Sequence, residues 1–435
     1  MTYREAVARI LGLRGGEMAG MRPGLARVRA LLDAIGNPER AVRIVQVGGT
    51  NGKGSISAML AAILTAAGHR TGLYTSPHLC SFRERIRVDG QPIAEEDVAD
   101  GVEALGTLVA RLDATMFEAA TALALDHFAR RSVEVAVLEV GLGGRLDATT
   151  VGRPEVEIIA RIDHDHQAQL GHTLPEIAAE KGHIIRSGIA CSARQEPEVA
   201  QVLARRAAAV AVPLLCEGRE LRVSAAAAPR LEGQRLDLSG PGWRLDDLLC
   251  PLLGVFQPGN ALLAAAAARA LGVGEAAIRH GLASVRWPGR FQVLGRDPVL
   301  VLDGAHNPGG ARALAASLRA YFPGQPITFV IGISADKDQV GILEALAPQA
   351  SRLILTAAAH PRAAAPEALA TAAASLTPPP GWTIETAAAS SEALALAMAA
   401  PRTPIICVAG SLFLIGEVLA QRPETADILC GLERG

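Results

Sequence analysis

Residues 45–68, Val45-Gln-Val-Gly-Gly-Thr-Asn-Gly-Lys-Gly-Ser55 followed at once by Ile56-Ser-Ala-Met-Leu-Ala-Ala-Ile-Leu-Thr-Ala-Ala-Gly68, decide how this chain is read. The apolar run Val42 to Val47 predicts a strand, Ser55 to Ala67 predicts a helix, and a glycine-rich turn joins them. A strand, such a turn and a helix N-terminus place backbone N–H groups and the positive end of a helix dipole around an anion, with Lys53 as the mobile cation. The stretch reads as a phosphate cradle, but not as the usual GxxxxGK[ST] loop. Val47 stands where the first glycine belongs, and Gly54 follows the lysine. An ordinary tight turn with a surface lysine is the competing reading. No NKxD-type tetrad follows, so an adenine nucleotide is expected in preference to a guanine switch.

Working outward, the first half alternates apolar runs with helical stretches: after the cradle come Ala119 to Arg130 as a helix and Val133 to Val140 as a strand. The same alternation returns late, with Pro298 to Leu302, Ile327 to Ile331, Leu353 to Thr356 and Ile405 to Val408 as strands. Strands alternating with helices imply parallel sheets with crossover helices. The fold class is therefore α/β: a phosphate-loop-type parallel-sheet domain followed by a smaller Rossmann-like α/β domain. We set the boundary within Ser284 to Gly295, rich in Trp, Pro and Gly, and more closely between Trp287 and Phe291. That gives domains 1–290 and 291–435, with a small β excursion near 213–254 and a helix Asn260 to Leu271 after it. The alanine-rich stretch 357–374 reads as a solvated helix.

At 435 residues the chain is about twice what one core organises, in keeping with two domains. Half the residues are apolar but only 3% are aromatic, and much of the apolar content is alanine. The mean hydropathy of +0.25 therefore does not signal a membrane span. The longest apolar stretches, Ile56 to Gly68 and Ile405 to Gly416, fall short of the roughly 20 residues a span needs. Lys plus Arg total 42 against 44 Asp plus Glu, a net charge of −2 without polybasic blocks, so nucleic acid is not an expected partner. The N-terminus lacks an apolar signal core, and the cysteines at 80, 191, 216, 250, 407 and 430 form no CxxC pair. These features predict a reduced, cytoplasmic protein.

Further motifs follow the cradle in order: Thr75-Ser-Pro-His-Leu79, Glu84-Arg-Ile-Arg87, Glu139-Val-Gly-Leu-Gly-Gly-Arg-Leu-Asp-Ala-Thr149, Asp165-His166, Glu180-Lys181, Asp303-Gly-Ala-His-Asn-Pro308, Asp336-Lys-Asp338 and Gly410-Ser-Leu-Phe413. Together they resemble the folylpolyglutamate synthase and dihydrofolate synthase family of the Mur ligase superfamily, over nearly the whole chain. The resemblance implies an ATP- and Mg²⁺-dependent amide ligase. It would join L-glutamate to dihydropteroate, to folates or to both through an acyl phosphate, and work as a monomer. A Mur-type ligase of cell-wall nucleotide peptides and a catalytically silent ATP-binding regulator are the alternatives.

The resemblance also assigns residues. Asn51, Gly52, Lys53 and Gly54 would hold the triphosphate, with Ser55 capping the helix or lying near the metal. Ser76, Glu139 and His166 match magnesium ligands, a plausible set for a hard ion that keeps waters and phosphate oxygens. Glu139 ends an apolar run, as a ligand at the carboxyl edge of a parallel sheet does. Lys181 matches a lysine that the family carbamylates, so Lys53, Lys181 and His166 are the expected catalytic residues; a helix-surface lysine paired with Glu180 is the other reading. In Asp163-His-Asp-His166 only His166 matches, and His164 reads as a bystander. Asn260, Arg290 and Asp303 match nucleotide contacts, although Arg290 could be a linker charge and DGAHNP a capped turn. His306 could face adenine or ribose. Thr115, Met116, Phe117 and Glu118, with Leu146, Asp147 and Ala148, match pterin-contacting positions, Phe117 as a stacking face and Asp147 as a polar anchor. Met116, Thr150 and the Glu180-Lys-Gly-His-Ile-Ile-Arg186 stretch, with His183, depart from the family pattern and bear on the shape of the pterin pocket.

Overall fold

A computed structural model describes residues 1–16, 22–225, 230–376, 381–399 and 403–421. Cys430 and the last residues of the expected second domain lie outside the described residues. The larger sheet has eight strands. From edge to edge these are Gln91–Pro92, Ile86–Val88, Thr71–Tyr74, Val135–Glu139, Arg43–Gly48, Pro154–Ile159, Ile189–Ser192 and Leu214–Cys216. The pairings from Thr71–Tyr74 to Leu214–Cys216 are parallel, and the two strands at the other edge run antiparallel. Arg43–Gly48 and Val135–Glu139 are central and, apart from Arg43, fully buried, because helices cover both faces.

Leu214–Cys216 belongs to this large sheet, so the expected β excursion begins later than Pro213. Its remainder is a three-stranded antiparallel sheet of Trp243–Cys250, Gln234–Gly240 and Arg222–Ala225. Helix Gln257–Ala270 packs between this small sheet and the large one, and Ala261 through Ala268 are all at most 2% exposed. The high hydropathy thus resides partly in a buried alanine helix that lets its neighbours approach closely. Nearby, a Cβ on Gly281 would fall 2.4 Å from the Ile63 Cα, so helices Glu275–Ser284 and Lys53–Ala66 meet backbone to backbone.

The second sheet has six strands in the order Gln292–Leu294, Val299–Asp303, Ile405–Ala409, Ile327–Ile331, Ala350–Leu355 and Thr383–Thr386. All its pairings are parallel except that of Gln292–Leu294. Within 357–374 only Pro366–Ala374 is helical, and Leu369 and Ala373 on it are fully buried, so the stretch is not one solvated helix. The residue before a proline is pushed out of the helical region, and Ala365 accordingly has extended φ/ψ and starts the helix late. Among the described residues no helix is long and apolar enough to cross a membrane.

Candidate active site

The carboxyl ends of the central strands open onto a cavity of about 760 Å³ lined by residues of both sheets. Its floor is the predicted cradle. Gly49 has φ +123°, and a Cβ there would sit 2.8 Å from the Ala160 carbonyl oxygen, so only glycine lets the loop pass this close to the neighbouring strand end. The N–H groups of Thr50 and Asn51 both donate to the Arg161 carbonyl and hold the loop open. Helix Lys53–Ala66 begins at Gly52, with φ +102° and no side-chain cap, which leaves its first N–H groups facing the cavity for an anion. Ser55 is therefore not the cap; its Oγ is buried and accepts from Gln257 Nε2 at 3.4 Å.

Around the cradle stand charges that burial makes unequal. Glu139 ends its strand, receives the Ser76 N–H at 3.2 Å, and has its carboxyl pushed up by burial against the fields of Lys53, Arg290 and Arg85. Lys181 is 3% exposed and donates to the Gly49 carbonyl at 3.0 Å. Burial, then the Lys53 charge, pushes it down to about 7. Glu180 pairs with Arg145 instead, which removes the surface-pair reading of Lys181. His166, with φ +51°, is pushed down to about 3, chiefly by burial, so its ring is neutral. Arg290 lines the cavity, where burial lowers its basicity against the fields of Asp303 and Glu139, so it is not a solvated linker charge. The Asp303 carboxylate accepts the N–H groups of Phe291 at 2.8 Å and Ala305 at 2.8 Å, so it ties the chain at Phe291 to its own strand end. Asn260 donates to Gln257 Oε1 at 2.9 Å, and its Oδ1 would lie 2.6 Å from a Cβ on Gly52.

Residues 47–268 match the family model of the Mur ligase middle domain, and residues 289–412 that of the Mur ligase glutamate ligase domain. The dihydrofolate synthase/folylpolyglutamate synthase of Mycobacterium tuberculosis is 38% identical over 378 residues, 81% of this chain and 77% of that protein. The chain belongs to the folylpolyglutamate synthase/dihydrofolate synthase family. The folylpolyglutamate synthase structure from M. tuberculosis complexed with ADP and AMPPCP superposes with TM-score 0.88 at 34% identity, covering 100% of both chains. A probable bifunctional folylpolyglutamate synthase/dihydropteroate synthase of Halobacterium salinarum is 37% identical over 98% of this chain, which spans 52% of that longer protein. As a folylpolyglutamate/dihydrofolate synthase family member, the protein is an ATP-dependent ligase.

Most of the positions that the family resemblance singled out line this one cavity: Asn51 through Ser55, Ser76, Glu139, His166, Lys181, Asn260, Arg290 and Asp303, with Thr115, Phe117, Glu118 and Leu146 through Ala148. Met116 does not. It is 1% exposed and packs in the core beneath the helix Met116–Arg130, because a one-residue step on a helix turns the side chain by about 100°. Phe117 takes the cavity side, its ring edge filling the space a Gly141 side chain would occupy. Thr115 caps that helix through the Glu118 N–H at 3.2 Å, and Glu118 returns the bond and pairs with Arg27, so both acceptors are engaged within the protein. Asp147 is no free polar anchor. Its carboxylate accepts the N–H groups of Gly141, Leu142 and Thr149 and the Thr149 hydroxyl, which fills its four acceptor positions and shapes the loop 141–149. Thr150 and His183 do not line the cavity; Thr150 donates to the Gly144 carbonyl at 2.7 Å beneath that loop. His306 does line it, but its Nε2 lies 3.7 Å from Asp165, with the ring pushed down to about 4, mainly by burial. Asp165, Asn307 and Lys337 stand in quoted motifs but were given no role. The motifs containing them gave the signal, but not the pairing across the two halves.

Proposed function

We propose that the protein joins the amine of L-glutamate to the carboxyl group of dihydropteroate, of folates, or of both. The observation that carries this is the single cavity running from the phosphate cradle at Lys53 to the Phe117 ring and walled by both sheets. An acceptor carboxylate oxygen would attack the γ-phosphorus of ATP while the bond to the ADP oxygen breaks. The glutamate nitrogen would then attack the acyl carbon, expelling inorganic phosphate and losing a proton. In this scheme the protein works by positioning and charge neutralisation. Lys53, the uncapped helix start and Arg290 neutralise phosphate charge, and Phe117 offers its face to the flat ring of the acceptor.

The donor set suits a hard cation. Among the described residues no group of three or more His, Cys, Asp or Glu is arranged to enclose a metal ion, so an all-protein cage is excluded there. A buried carboxylate, Glu139, a neutral imidazole, His166, and the Ser76 hydroxyl, all lining the cavity, suit instead a magnesium ion that keeps waters and phosphate oxygens. Such an ion supplies charge neutralisation on the phosphates. Lys181, a buried amine near 7, is suited to becoming a carbamate, which would replace a cation by an anion on that wall.

Residues of one chain line the cavity from the phosphate cradle to Phe117, which favours a monomer. ATP as a substrate and the free thiols of Cys80, Cys191, Cys216, Cys250 and Cys407 favour the cytoplasm. A silent ATP-binding regulator would not need Lys53, Glu139, His166 and Lys181 together, and the Phe117 face favours a flat aromatic acceptor over a cell-wall nucleotide peptide. The test is glutamate-dependent phosphate release with dihydropteroate or tetrahydrofolate, with product mass. Turnover with neither acceptor refutes the proposal, and turnover with a UDP-sugar peptide would put the cell-wall reading in its place.

A further inference from the structure

The Asn307 side chain is 2% exposed and sits at the start of helix Pro308–Tyr321, on the second-sheet half of the molecule. As a helix cap it needs only one bond, its Oδ1 accepting the Gly310 N–H at 2.7 Å. It makes three more, all to the other half. Oδ1 accepts from Asn51 Nδ2 at 3.1 Å, and Nδ2 donates to Asn51 Oδ1 at 3.0 Å and to Asp165 Oδ2 at 3.1 Å. Two lone pairs and two hydrogens are thus all used, and no other side chain of this length offers that set. Asp165 in turn takes Lys337 from the second half at 2.5 Å, with the two side chains 6% and 9% exposed. The packing is equally close nearby, where a Cβ on Gly309 would overlap the Asp163 carboxylate.

We propose that Asn307 is a positioning residue that couples closure of the two halves to the phosphate loop. One end of its amide is fixed to the second half by the helix cap. The other end grips Asn51, two residues before Lys53, and Asp165, next to His166. Closing the halves therefore sets the loop and the adjacent wall in one movement, and opening releases both. The buried Asp165–Lys337 pair links the same two halves beside the amide and fixes their register, since either charge left buried without its partner is costly.

Asn307→Asp and Asn307→Ser test this, because Asp and Ser both keep the helix cap. Aspartate turns the donating amide into an acceptor facing Asn51 Oδ1 and Asp165, whereas serine removes the amide. With melting temperatures near that of the native protein, both variants should show a larger radius of gyration in small-angle scattering with a bound ATP analogue. The analogue affinity should stay within about threefold, and kcat should fall by about a hundredfold, as expected for reacting groups displaced by an ångström. A native radius in both variants overturns the proposal, as does an Asn307→Ser protein as compact and fast as the native one. If either substitution costs folding, Lys337→Met loosens the same clasp from its other end and is read on the same scale. The kcat readout rests on the ligase reading above, but the radius does not, so a failure of that reading leaves the closure test intact.

Discussion

The Lys181 side-chain nitrogen donates to the Gly49 carbonyl oxygen across 3.0 Å, tying helix Leu174–Gly182 to the bend where the phosphate loop leaves its strand. The bond holds the amine buried, and burial first, then the charge of Lys53 nearby, lowers its basicity.

With Lys181 pushed down to about 7 from its ordinary 10.5, about nine-tenths of the amine is neutral at pH 8 and about one-tenth at pH 6. A neutral amine adds carbon dioxide. In ¹³C-bicarbonate a carbamate signal is expected at pH 8, shrinking toward pH 6 and absent in Lys181→Arg; no signal at pH 8 refutes the role. The linkage has a definite sign. Between about 7 and 10.5 the unfolded chain holds the proton that the folded chain has lost, so in bicarbonate-free buffer stability rises with pH across that window. Lys181→Met should flatten this slope in thermal melts.

Lys53→Ala and Glu139→Ala should each lower kcat by at least about a hundredfold, the usual effect of deleting one preorganised electrostatic group. Both should fold. Removing Glu139 leaves the Ser76 N–H without its acceptor and the charges of Lys53, Arg290 and Arg85 less compensated, so Glu139→Gln, which keeps an acceptor there, is the control for folding, read by melting temperature. Near-native kcat in either variant would refute its assigned role.

Met116 and Phe117 are neighbours with opposite expected phenotypes. Met116→Ala opens a core cavity and should cost about 2–5 kcal/mol of stability while leaving the KM for the pterin acceptor unchanged. Phe117→Ala should raise that KM by about tenfold, the loss of roughly 1.4 kcal/mol of ring contact, with the KM for ATP unchanged. Steady-state kinetics varied in each substrate, with melting curves, separates the two. A raised acceptor KM in Met116→Ala would place Met116 in the pocket after all.

Gly281→Val should destabilise the protein by about 1–3 kcal/mol or more, since the added carbons meet the Ile63 backbone and not a movable side chain. Urea unfolding measures it, and a midpoint equal to that of the native protein would refute the backbone contact.

Some of this organisation was legible from local pattern. The central strands are near-continuous apolar runs buried on both faces, and the cradle lies between strand and helix signals, so the α/β class followed from spacing and glycine content alone. Other features depend on partners far along the chain. Leu214–Cys216 is three residues long and is fixed by Ala190–Ser192, so nothing within it announced a large-sheet edge. Asn51 and Asn307 are separated by 256 positions, and neither residue signals the other. Whether Lys181 paired with Glu180 depended on Arg145, which reaches Glu180 from another loop. Met116 was grouped with Phe117 yet turns into the core, because a motif gives positions along a helix but not which way the helix faces.

Trp287 stands against the cradle, its indole nitrogen 3.0 Å from where a Gly54 side chain would begin, with the Arg87 guanidinium 5.9 Å over its ring. The chain has only two other tryptophans: Trp243 in the three-stranded sheet and Trp382, next to the edge strand of the six-stranded one. A triphosphate held by Lys53 would change the field at the Trp287 indole far more than at the other two. The Trp287 emission should therefore shift when an ATP analogue binds, and replacing Trp243 and Trp382 with phenylalanine would isolate that emission without adding a label.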